Sequence, residues 1–66
     1  MLETQISLSE KEMGVLLDLL REEQHELPVE IRHTRSSGYH TELLARQTLI
    51  NSLVERLEKE LQSPAA

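Results

Sequence analysis

The chain has 66 residues, no cysteine, no tryptophan, no phenylalanine and a single tyrosine, which excludes disulfide staples, cysteine-based zinc sites, thiol catalysis and the aromatic platforms on which single-stranded nucleic acids stack. Its net charge of −5 repels a phosphate backbone and argues against a nucleic-acid module. A chain this short buries only about 60% of the surface that its unfolded form exposes, so a second source of stability is expected, either a metal held by histidine and carboxylates or, the better fit, oligomerisation.

One small domain is expected, with an aliphatic core dominated by leucine. Charge is uneven along it. Residues 1–30 hold eight acids and two bases, a balance of −6, and residues 31–66 hold four acids and five bases, a balance of +1. Such a bias helps two helices or two chains choose an orientation, although each helix also simply needs a solvated face. No stretch approaches the ~18 apolar residues of a membrane span. Met1–Ser9 also lacks the basic start and apolar run of a signal peptide, so the expectation is a cytoplasmic protein without membrane contact.

Met1–Leu8 alternates weakly, with Leu2, Ile6 and Leu8 apolar. An isolated strand would have no partner within the chain, so this lead-in is expected to lie extended over the helices or to pair with its own copy in a dimer. Ser9-Glu10-Lys11-Glu12 is a capping box, in which the Ser9 hydroxyl accepts from the Glu12 amide and the Glu12 carboxylate reaches back to the Ser9 amide. Leu8 and Met13 hold the two positions of a hydrophobic staple. Glu10 and Glu12 also suit the positive end of the helix dipole.

From Met13, the residues Leu17, Leu20, Gln24, Leu27 and Ile31 step by four and three, which draws one seam along a helix with Leu16 beside it. Val15, Leu19 and Val29 fall outside that seam, and this extra apolar width calls for a further neighbour. Pro28 interrupts the helix chemistry, because it removes an amide donor and crowds the carbonyl of Gln24 at a cost of about 3 kcal/mol. Since the seam keeps its phase from Leu27 to Ile31, a kinked continuous helix is expected. The alternative is a break after Glu26 with Pro28 in the first turn of a new helix.

Thr34-Arg35-Ser36-Ser37-Gly38 reads as the turn. Arg32 and Arg35 suit the end of the first helix, and Ser36 or Ser37 can cap the second. Tyr39, Leu43, Arg46, Ile50, Leu53 and Leu57 repeat the alternation and end at Leu61, with Val54 widening the face and Leu44 and Leu49 further round. Arg46 is expected to lay its stem on the seam and send its head to an acid. Tyr39 is expected to close the hairpin end over Ile31 and Leu43. Ser63–Ala66 ends the helix as a frayed tail.

The fold class is therefore all-α, a single two-helix antiparallel hairpin with helix one at about 10–34, the turn at about 35–38 and helix two at about 39–61. A connection this short makes the helices neighbours. Two such arms are half of a four-helix bundle, and a homodimer supplies the other half. The seam for core and dimer is Met13, Leu16, Leu17, Leu20, Leu27, Ile31, Tyr39, Leu43, Ile50, Leu53 and Leu57.

The stretches LSEKEMGVLLDLL, VEIRHT and YHTELLARQTLINSLVERL, in this order over about residues 7–61, resemble a family of small, uncharacterised bacterial proteins that read as two-helix hairpins. The shared features are the capped acidic start, the leucine-rich first helix, the Glu30-Ile31-x-x-Thr34 junction and the Tyr39-x-x-x-Leu43 entry. Pro28 departs from that pattern, which has a helix-compatible residue there. The resemblance implies the hairpin fold and carries no biochemical function with it.

Two clusters could carry chemistry. Glu30 and His33 form a Glu-x-x-His with Glu26 one turn earlier, the spacing by which carboxylate bundles hold metals with glutamates from facing helices. Short Glu/His coincidences are nevertheless common on acidic helices, so no metal and no cofactor is the expectation, with a carboxylate–histidine metal bundle as the alternative. His33, Tyr39 and His40 gather near the turn with Arg32 and Arg35, which could serve as an acid–base group or an anion patch. A loop this short encloses no pocket, and no enzyme is expected. The function expected is that of a self-associating interaction or structural module, or of a subunit of a larger complex with another protein.

Overall fold

A computed structural model describes residues 2–62, so Met1 and the expected tail at 63–66 lie outside it. The architecture is two helices, α1 at Glu10–His33 and α2 at Ser37–Gln62, packed against each other. They run antiparallel: Arg21 contacts Glu58, Gln24 contacts Asn51, and the link between the helices is only Thr34–Ser36.

The start of α1 follows from four residues. The Glu12 amide donates to Ser9 Oγ at 3.1 Å and the Ser9 amide donates to Glu12 Oε1 at 2.9 Å, which closes the capping box. The Ser9 amide first, and the Ser9 hydroxyl second, hold the Glu12 carboxyl below its ordinary pKa because hydrogen bonds to the carboxylate favour its charged form. Leu8, just outside the cap, and Met13 are both half-buried, as a staple requires.

The helix then continues through Pro28 without a break. Leu27, one residue earlier, is 0% exposed, while Pro28 itself faces solvent. Full burial of a leucine is worth about 1.5–3 kcal/mol, comparable to the ~3 kcal/mol that an interior proline costs. Breaking the helix at Glu26 would forfeit Leu27 and Ile31 together, so continuity prevails.

The turn is shorter than the 35–38 expected, and α2 begins earlier. The Tyr39 amide donates to Ser36 Oγ at 3.3 Å and the His40 amide to the Ser36 carbonyl at 2.9 Å, so Ser36 is the residue that opens α2. Gly38 becomes a first-turn helix residue, and no glycine of the described chain has positive φ. Thr34 ends α1 in extended conformation, its amide donating to the Glu30 carbonyl at 3.0 Å.

The core is Leu17, Leu27, Leu43, Ile50 and Val54, with Leu20, Ile31, Leu57 and Leu61 packed against it. On α2 it departs from the expected heptad line, because Val54 is buried whereas Leu53 and Tyr39 are exposed. A strict seven-residue repeat stays on one face only if the helices supercoil. An eleven-residue step such as Leu43 to Val54 stays nearly in phase on a straight helix at about 3.6 residues per turn. Tyr39 accordingly does not close the hairpin end but lies half-open beside Leu43. The lead-in differs too: residues 2–9 form no regular structure, and Leu2 and Ile6 stand in solvent rather than over the helices. Only Leu8 is partly covered, while Glu3, Thr4 and Gln5 pass beside Arg56.

Four outcomes test these assignments. Ser9→Ala lowers stability by about 1 kcal/mol in urea unfolding. With the folded Glu12 pKa depressed, the capping contribution is present above the ordinary carboxylate pKa and lost as pH falls through the lowered value, so the Ser9→Ala deficit shrinks in acid. Val54→Ala costs more than Leu53→Ala in the single hairpin, and Pro28→Ala raises the unfolding midpoint by restoring an N–H that donates a hydrogen bond to the Gln24 carbonyl.

Candidate interaction surface

Two antiparallel helices side by side form a layer with two broad faces, and the interhelical contacts show which residues share each face. Glu23 accepts from Arg46 Nε at 3.1 Å on one side of the seam. The Arg46 head thus reaches an acid, as expected, although its side chain stays largely exposed beside the seam. Taking about 100° per residue, Leu16, Leu19 and Leu20 share the Glu23 flank of α1, and Leu49 and Leu53 share the Arg46 flank of α2. The opposite face is marked by Arg21 Nη2 to Glu58 Oε2 at 2.7 Å and Gln24 Nε2 to Asn51 Oδ1 at 2.8 Å. It carries Asp18, His25 and Gln47, with Pro28, Val29 and Leu44 as its apolar members.

The faces are therefore unlike. One presents Leu16 at 38% exposure, Leu19 at 57%, Leu49 at 66% and Leu53 at 41%, next to half-buried Leu20 and Leu57. Both ion pairs sit in partly exposed surroundings, so each contributes about 1 kcal/mol or less. A leucine taken fully out of water is worth about 1.5–3 kcal/mol, and the leucines decide which face seeks a partner.

The hairpin also exposes more surface than its mass warrants. Its accessible area is 5900 Å², against about 4,300 Å² for a compact monomer of this mass. Its radius of gyration is 14.3 Å, against about 11 Å for a compact chain of this length. The thinnest dimension is 15 Å, a single helix layer. The extended lead-in accounts for part of the excess, and the uncovered face of the layer for the rest.

The turn-proximal end of the leucine face is polar. Glu23, Glu30, Tyr39, Glu42, Leu43 and Arg46 line an open depression there. Of the metal candidates, Glu30 is in this depression, while Glu26 belongs to a separate strip of α1 with Asp18, Arg21, Glu22 and His25. Glu26, Glu30 and His33 are all exposed, and among the described residues no group of three or more acids and histidines is placed to hold a metal. His33 and Arg32 end α1, Arg35 lies in the link, and His40 is half-buried in the first turns of α2. No polar or charged side chain of the described residues is buried. No described helix is long and apolar enough to cross a membrane.

No family model, curated protein or solved structure matches the chain.

The separation of faces that reading by seam alone missed lies in the interhelical register. Its one sequence signal is that Leu49 and Leu53 are four apart, with Arg46 on the same flank, just as Leu16, Leu19 and Leu20 accompany Glu23. His33→Ala is expected to leave the melting temperature unchanged within about 0.5 kcal/mol equivalent, with and without added zinc, as followed by circular dichroism.

Proposed function

We propose that the chain is a self-associating module that acts by pairing with a second copy, leucine face to leucine face, to complete a four-helix bundle. The observation that carries this reading is the cluster of Leu16, Leu19, Leu49 and Leu53, left exposed on one face of a single helix layer. The excess of about 1,600 Å² over a compact monomer compares with the ~800 Å² that each partner buries in a standard interface. One pairing event of that size covers about half of the excess, to which the extended lead-in also contributes. The aliphatic character of the leucine cluster itself favours a like surface, since Leu16, Leu19, Leu49 and Leu53 carry no charge or hydrogen-bonding group with which to select a different partner.

The reading makes the protein a structural or interaction element that works by association rather than by catalysis. Its exposed acids and histidines, including Glu26, Glu30 and His33, then form the solvated rim of the bundle.

Light scattering at tens of micromolar chain is expected to give twice the chain mass of 7.6 kDa. Leu49→Asp, exposed in the hairpin and therefore harmless to its intrachain core, is expected to give the monomer mass. Leu44→Asp, on the opposite face, is expected to leave the dimer intact. A monomer mass for the parent chain, or equal behaviour of the two variants, overturns the proposal.

A further inference from the structure

The leucines occupy only half of their face, and this bears on how two copies meet. The contacts of Gln24 with Asn51 and Arg21 with Glu58 put the middle of α1 level with residues near 50 of α2. Leu49 stands at that level. At about 1.5 Å per residue, Leu53 lies roughly 6 Å, Leu19 roughly 9 Å and Leu16 roughly 14 Å toward the open end of the hairpin. Toward the turn, the same face carries Glu30, Tyr39, Glu42 and Arg46.

We infer that the two hairpins stack with their turns at the same end. The inference rests on the pairing proposed above and adds its orientation. A two-fold axis along the helices sets α1 of one copy over α2 of the other, so Leu16, Leu19 and Leu20 meet Leu53 and Leu57 of the second copy. A two-fold axis across the helices sets α1 over α1 with the turns at opposite ends. Leu16 and Leu19 then lie over the Glu30 region of the second copy, and the one compensation is Arg56 brought over Glu42. An exposed ion pair of that kind is weaker than the burial of several leucines, so the same-end arrangement prevails. It also gathers Glu30 and Glu42 of both copies at one end, where Arg46 is already engaged by Glu23 and the four carboxylates repel one another.

Because the chain has no cysteine, Arg35→Cys in the exposed link supplies one nitroxide label per copy without touching either helix. Same-end pairing places the two labels within about 30 Å, since stacked helices are about 8–10 Å apart. Opposite-end pairing separates them by about the length of α2, roughly 39 Å or more. A dimer mass with the short distance upholds the inference; a dimer mass with the long distance overturns it and leaves the pairing proposal standing. A monomer mass overturns both. Glu42→Gln gives an independent reading. Relief of repulsion at the shared end tightens the dimer at least twofold, whereas loss of a partner for Arg56 loosens it, and an unchanged or looser dimer overturns the same-end arrangement.

Discussion

One aliphatic seam holds two helices together, and a seam between two helices is open above and below. Leu17, Leu27, Leu43, Ile50 and Val54 are removed from water because each faces the other helix. Leu16, Leu19, Leu49 and Leu53 have no such opposite number among the described residues. With no cysteine and no aromatic residue besides Tyr39, the hairpin has neither a disulfide nor a large ring with which to close its layer from within. The uncovered face is thus a consequence of composition and length as much as of pattern.

The constraint also explains what the ends of the helices do. With so little core, local chemistry carries a large share of the specification. The reciprocal Ser9–Glu12 bonds set where α1 begins, and Ser36 sets where α2 begins. The link between them needs no left-handed residue, so neither glycine performs the role of a hairpin hinge. Pro28 is tolerated because its own side is exposed while its neighbour Leu27 is the most deeply buried side chain of the described chain. The polar contacts across the layer, Arg21–Glu58, Gln24–Asn51 and Glu23–Arg46, add little energy but lie on opposite faces, and they hold the register that separates leucine face from polar face.

Much of this was legible from the residues alone where the determinants are local. The capping box, the staple positions, the two helices and their antiparallel order all rest on spacings of three or four residues. The core side of α2 was not legible to one residue, because Leu53 and Val54 both fit an apolar stripe. Only the placement of α1, which covers Val54 and leaves Leu53 open, selects valine for the seam. The lead-in was also misjudged, since Leu2, Ile6 and Leu8 alternate as a packed segment would, yet the hairpin offers no groove beside Arg56 to receive them. At the candidate site, exposure of Glu26, Glu30 and His33 could be anticipated from their distance from the seam. Their failure to gather a further acid or histidine from α2 needed the second helix in place.

We propose that a second copy completes the folding of the hairpin. The most direct test is the thermal unfolding midpoint across a roughly hundredfold range of chain concentration, because association with the folded state alone makes the midpoint depend on concentration. The account predicts a single cooperative transition whose midpoint rises steadily with concentration. A midpoint independent of concentration would contradict it.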